Sequence, residues 1–226
     1  MFFPIGDTQV KGGSRPLFSY TFIAINILIF FFQFSLSPQN LNAFILTYGT
    51  IPDDIMHQRG YSTLFTNMFL HGGWMHLIGN MLFLWVFADN IEAVIGNFYF
   101  LLFYLLGGVS ASLIHVYFNM GSTIPSIGAS GAISAVLGAY IVMFPKSKIK
   151  VLVLMFFRSF QVAALYFLGF WIVQNLFSGF ASLGANTADT AGVAWWAHIG
   201  GFAFGVLAGF FFKHVHPKNL NFASVS

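Results

Sequence analysis

The stretch SGAISAVLGAYIVMF, residues 130–144, is apolar except for two serines and a tyrosine. As an α-helix it measures about 22 Å, at 1.5 Å per residue. The hydrocarbon core of a bilayer is about 30 Å thick, so this helix falls short of it by roughly 8 Å. Five other apolar stretches approach the roughly 20 residues that a span needs. They are residues 17–36, 74–93, 98–118, 160–180 and 195–212. The sequence thus predicts an all-α membrane protein, a bundle of six transmembrane helices whose fourth begins below the membrane surface.

Composition agrees with a bilayer as solvent. Of 226 residues, 58% are hydrophobic and 7% are charged. A soluble domain has about 45–50% and about 25%, and could not cover its surface with so few charges. The net charge of +3 is spread over short clusters between apolar runs, so the lipid bilayer and not nucleic acid is the expected partner. There is no cysteine, which removes disulfides, thiol nucleophiles and Cys-ligated metals. The first apolar run exceeds the roughly 7–15 residues of a cleavable signal, and further spans follow it. It reads as an uncleaved first helix.

Residues 37–73 form a connection of about three dozen residues, long enough to expect a function. Its mixture of apolar and charged side chains predicts short interfacial helices, a long membrane-associated first loop. With the N-terminus inside, Lys11, Arg15, Lys146, Lys148, Lys150, Arg158, Lys213 and Lys218 lie inside and only Arg59 lies outside. That is a strong positive-inside pattern. The expected division is a cytoplasmic tail at 1–16, a transmembrane domain at 17–213 and a cytoplasmic tail at 214–226, both tails loosely ordered. The short tails and the absence of extra domains suggest a bacterial inner membrane protein, and a monomer is expected.

Ionisable and polar groups at membrane depth are costly and mark working sites. Four stand out: His76 and Asn80 in the second span, Ser130 at the start of the fourth and His198 near the start of the sixth. Each has a bland reading. A lone membrane serine bonds back to its own helix, and His76 with Asn80, four apart on one face, could simply pin two helices. Depth argues otherwise, because all four fall in one layer of the outer half. The Gly- and Pro-containing residues 121–128 above Ser130 must be buried in protein or line a wet cavity. Gly201, Gly205 and Gly209 repeat every four residues, a stripe that lets helices approach closely.

A serine becomes a nucleophile when a neutral imidazole takes its proton. The resulting oxyanion needs donors, which the amides at a helix N-terminus supply. None of the acidic residues lies in an outer-half span, so the expectation is a Ser–His dyad, with Asp189 kept open as a carboxylate behind His198. There is no H-E-x-x-H stretch and no pair of membrane-buried aspartates.

At these residues the sequence resembles the rhomboid family of intramembrane serine proteases. Its G-x-S-G motif stands as Gly128-Ala129-Ser130-Gly131, its H-x-x-x-N motif as His76 to Asn80, and its A-H-x-x-G motif as Ala197 to Gly201. The resemblance covers residues 17–213. It implies Ser130 as nucleophile, His198 as base, and His76, Asn80 and the Ser130 backbone N–H as oxyanion donors, with Gly128, Gly131 and Gly201 in support and no cofactor or metal. It also implies transmembrane protein substrates cleaved near their outer ends, and a fifth span acting as substrate gate. Two positions depart from the family pattern. Ser134 stands where many members place an aromatic against the histidine, leaving Trp195 or Trp196 to hold the His198 ring. A Trp-Arg pair common in the first loop is missing near Ser62-Thr63. The rival readings are a catalytically inactive rhomboid-like binding protein and a small transporter or channel. The apolar inner halves of the spans disfavour the transporter.

Overall fold

The computed structural model describes residues 2–10, 12–153, 155, 158–183 and 193–216. Helix α1 (Phe18–Ser35) leads through α2 (Pro38–Tyr48), α3 (Pro52–Met56), α4 (Thr63–Thr66) and a 3-10 turn (Asn67–Phe69) to α5 (Trp74–Ile95). After α6 (Asn97–Phe118) and α7 (Ser130–Met143), a hairpin leads to α8 (Ala164–Ser182), and α9 (Trp195–Val215) follows. Five of these helices, α1, α5, α6, α8 and α9, are long and apolar enough to cross a membrane. The expected six transmembrane helices are thereby cut back to five of spanning length, because α7, expected to be short, has only 14 residues. It cannot start earlier: Gly128 sits at φ +129°, a conformation that glycine alone adopts freely.

Helix α7 is short and also central. Residues 131–140 are all buried, so protein and not lipid surrounds them. Its small residues allow this. A Cβ on Gly201 would run into the Gly131 carbonyl oxygen, one on Gly205 into that of Ala135, and one on Gly209 would meet the Ala139 Cα at 2.9 Å. Three glycines of α9, four apart, thus lie on three backbone positions of α7, four apart. Side-chain-free contact of this kind lets two helices pack on backbone atoms.

The all-α bundle carries one addition, a three-stranded antiparallel sheet ordered β1-β2-β3. Strands β2 (Lys148–Val153) and β3 (Arg158–Ala163) form the hairpin, with Val151 opposite Phe160. Strand β1 (Phe2–Gly6) pairs with β2, Phe3 opposite Leu152. Lys148 and Lys150 are exposed while Ile149 and Val151 are buried, the alternation of a strand with one face covered. Two expectations change here. Residues 160–163 belong to β3 and not to the fifth span, and residues 2–10 of the N-terminal tail are ordered. Asp7 accepts from Asn90 Nδ2 at 2.7 Å and from the Tyr140 hydroxyl. Burial pushes the Asp7 carboxyl up from 3.8 to about 7, against the opposing hydrogen bonds from Tyr140, Asn90 and Gln9.

Glu92, fully buried in α5, closes the start of α1. Its carboxylate accepts from the backbone N–H groups of Leu17, Phe18 and Ser19 at 2.7–2.9 Å and from the Ser19 hydroxyl at 2.5 Å. Negative charge at a helix N-terminus meets the orphan N–H groups and the positive end of the dipole.

Candidate active site

The long first loop fixes the approach to Ser130. Thr50 and Ser126 exchange two backbone hydrogen bonds, and the Gly128 N–H donates to the Asn67 carbonyl at 2.9 Å. Asn67 is itself held, its amide donating to Thr50 Oγ1 and, at 2.9 Å, to Ser112 Oγ. Ser130 is thus the first helical residue after a braced turn, at an N-terminus whose amides lack intrahelical partners. Ser134, one turn on, donates its hydroxyl to the Ser130 carbonyl at 2.6 Å.

His76 lies over the same turn. Its Nδ1 accepts from the Gly72 N–H at 3.3 Å, which assigns the proton to Nε2 and makes Nε2 a donor. A Cβ on Gly128 would sit 2.7 Å from that Nε2 and 3.6 Å from Ser130 Oγ. Glycine at 128 therefore leaves open the spot that His76 and Ser130 share. Asn80 is directed elsewhere: its Nδ2 bonds to His71 Nε2 at 2.9 Å. His71 is in turn clamped by Gln33, whose side chain bonds both its backbone N–H and its carbonyl. Burial lowers the His71 imidazole to about 3, with His76 adding to the effect, so it stays neutral and accepts from Asn80. His71 thus acts as a structural hydrogen-bonding residue of the loop.

His198 lies in the first turn of α9, one residue after Ala197, whose Cβ lies 3.9 Å from the position a Gly131 Cβ would take. Its Nδ1 bonds Asn175 Oδ1 of α8 at 2.7 Å. The ring also sits between two indoles, Trp171 at 5.7 Å and Trp195 at 6.2 Å between centroids. Trp195 thus contributes to holding the imidazole, whereas Trp196 stacks on Phe118 at 3.6 Å. Among the described residues no hydrogen bond joins Ser130 to His198. Catalytic hydrogen bonds are often long before substrate binds and tighten afterwards. Asp189 lies outside the described residues.

A cleft of about 730 Å³ opens beside these groups, lined by His76, His115, Trp74, Pro125, Trp195 and Trp196 among others. A gap of about 10 Å³, bordered by Ser130, Gly131, Asn67 and Ala197, lies next to it, and the two share Ser126, Ile127 and Ala194. That gap is roughly the size that admits one water.

The family model of the Rhomboid domain matches residues 58–215. The chain belongs to the rhomboid family. It is 32% identical over 205 residues to the rhomboid protease GluP of Bacillus subtilis, covering 91% of this chain and 36% of that protein. To the mitochondrial rhomboid protein 1 of Saccharomyces cerevisiae it is 28% identical over 251 residues, covering 93% and 68%. To the RHOMBOID-like protein 1 of Arabidopsis thaliana it is 33% identical over 158 residues, covering 70% and 36%. The chain thus spans about a third of the length of the Bacillus and Arabidopsis relatives. The three motifs fall near the N-terminal ends of α5, α7 and α9, where Gly128 meets His76 and Gly131 meets Ala197.

Sequence reasoning missed Asn175 and Trp171. A signal was present, since Asn175 is a polar residue in the middle of an apolar run, the same criterion that singled out His76 and Asn80.

Proposed function

We propose that the protein is an intramembrane serine endopeptidase that cleaves transmembrane segments near their extracytoplasmic end. Ser130 attacks the scissile carbonyl, His198 takes the hydroxyl proton, and the same imidazole returns it to the leaving amine. The Ser130 N–H and the Nε2–H of His76 receive the oxyanion, with Asn80 supplying its second amide hydrogen. The observation that carries this reading is the backbone contact of α7 and α9. It sets Gly131 against Ala197 and Gly201, one residue from the nucleophile and one and three from the base. Family membership and the adjoining cleft support it further. The basic residues favour α7 as a short sixth crossing, with both termini on the cytoplasmic side.

A rhomboid-like binding protein without catalysis is the second reading, favoured by the missing Ser130–His198 hydrogen bond. One experiment decides. Purified protein is incubated with a model transmembrane substrate and, separately, with a fluorophosphonate probe. The wild type is expected to cleave and to be labelled, while Ser130→Ala and His198→Ala each lose about 10³-fold or more in rate. Cleavage that survives either substitution overturns the dyad, and a wild type inert to both reagents favours the binding protein.

A further inference from the structure

Helix α8 exposes more of its surface than any other long apolar helix. Its buried residues, Ala164, Leu168, Asn175 and Gly179, form one stripe, and Asn175 is the polar member. Burying an amide costs free energy unless its hydrogen bonds are made. Both ends of this amide are used. Nδ2 donates to the Trp171 carbonyl one turn back at 2.8 Å, and Oδ1 meets His198 Nδ1 at 2.7 Å.

These two bonds decide a tautomer. The Trp171 carbonyl accepts only, so it must face the NH₂ end, and Oδ1 is left for His198. An amide oxygen accepts only, so His198 Nδ1 must carry the proton, and Nε2 keeps its lone pair. We infer that Asn175 is a positioning residue that holds His198 in the tautomer with a basic Nε2, the place a carboxylate takes in a triad. This rests on the proposed Ser–His reading. An amide in the reverse orientation would present N–H to Nδ1 and impose the wrong tautomer, which in a serine protease triad costs about 10⁴ in kcat. The Trp171 carbonyl prevents that reversal. The same α8 turn also sets the Trp171 ring beside the imidazole, so one helical turn fixes both the plane and the proton.

The test compares Asn175→Leu, which keeps volume but has no acceptor, with Asn175→Asp, which keeps the acceptor. Asn175→Leu is expected to lower kcat for a transmembrane substrate about 10²-fold or more with KM nearly unchanged, while Asn175→Asp stays within about tenfold of wild type. A merely structural role predicts the opposite order, since Leu packs in an apolar stripe and a buried carboxylate does not. A second readout needs no activity. In protein labelled with ¹⁵N-histidine, the His198 signals, assigned by their loss in His198→Gln, should show Nδ1–H in the wild type and a mixture of tautomers in Asn175→Leu. An unchanged tautomer, or Asn175→Leu with wild-type kcat, overturns the inference while Ser130-dependent labelling keeps the dyad intact. Loss of Ser130-dependent labelling in the wild type instead removes the dyad, whatever the tautomer.

Discussion

The two ends of the bundle treat buried polar groups in opposite ways. At the end that carries the sheet, Glu92 collects four donors from the start of α1, and Asp7 is bonded by Tyr140, Asn90 and Gln9. At the end that carries Ser130, His76 and His198 each have one ring nitrogen engaged. Among the described residues nothing bonds the Ser130 hydroxyl, and a cleft adjoins the group. Desolvation is paid at both ends, but only the second keeps unspent hydrogen-bonding capacity beside open space. Saturated groups fix geometry. Groups with a spare lone pair or proton, held by their other atom, are the ones able to act on something that enters.

The contrast breaks most visibly at Gly201. A side chain there would meet the Gly131 carbonyl and, at 3.2 Å, the Ser134 Cβ. Backbone cannot yield as a flexible side chain does, so Gly201→Val should push α9 off α7. The expected result is a fall of 10²-fold or more in Ser130 labelling and destabilisation of about 1–3 kcal/mol, read as a lower unfolding temperature in detergent. Labelling at the wild-type rate would show that the site does not depend on this contact.

Glu92→Leu probes the saturated end. It leaves the Leu17, Phe18 and Ser19 N–H groups and the Ser19 hydroxyl without their acceptor. Hydrogen bonds to a buried charge contribute about 1.5–3 kcal/mol each in the best cases, and unsatisfied donors cost about 1–3 kcal/mol. A loss of about 2–4 kcal/mol of stability is expected, with the labelling rate of the protein that remains folded unchanged. A variant that stays stable but labels slowly would join the two ends that the comparison separates.

Much of the site end was legible from spacing alone. His76, Ser130 and His198 interrupt apolar runs, and the glycines at 201, 205 and 209 announce a close approach that the structure realises carbonyl by carbonyl. Asn80 was harder, because spacing tells which face a residue occupies and not that His71 takes its amide. The sheet end was hidden by its own charges. Lys148, Lys150 and Arg158 read as a basic loop, although Ile149 and Val151 between and beyond the lysines already alternate with period two. The docking of residues 2–10 joins positions 80 or more apart in sequence, which no local pattern encodes.

The smallest effect expected on the site itself concerns Asp7. Its carboxyl titrates near 3.8 when exposed and at about 7 when the tail is docked, chiefly because docking buries it. Below about pH 4 it is protonated in both states and contributes its full share to docking. As pH rises toward 7 the undocked tail gives up its proton first, so docking weakens across that window, and above about 7 no further loss occurs. Protection factors of the β1 amides, corrected for intrinsic exchange, should therefore fall by up to about 10²-fold between pH 5 and pH 8 in the wild type. They should stay level in Asp7→Asn, which keeps an acceptor for Tyr140 without a charge to bury. Ser130 labelling at a fixed pH should be the same in both proteins. Protection that rises with pH would mean that the bonds from Tyr140, Asn90 and Gln9 outweigh burial, placing Asp7 beside Glu92 among charges that the fold welcomes instead of one it tolerates.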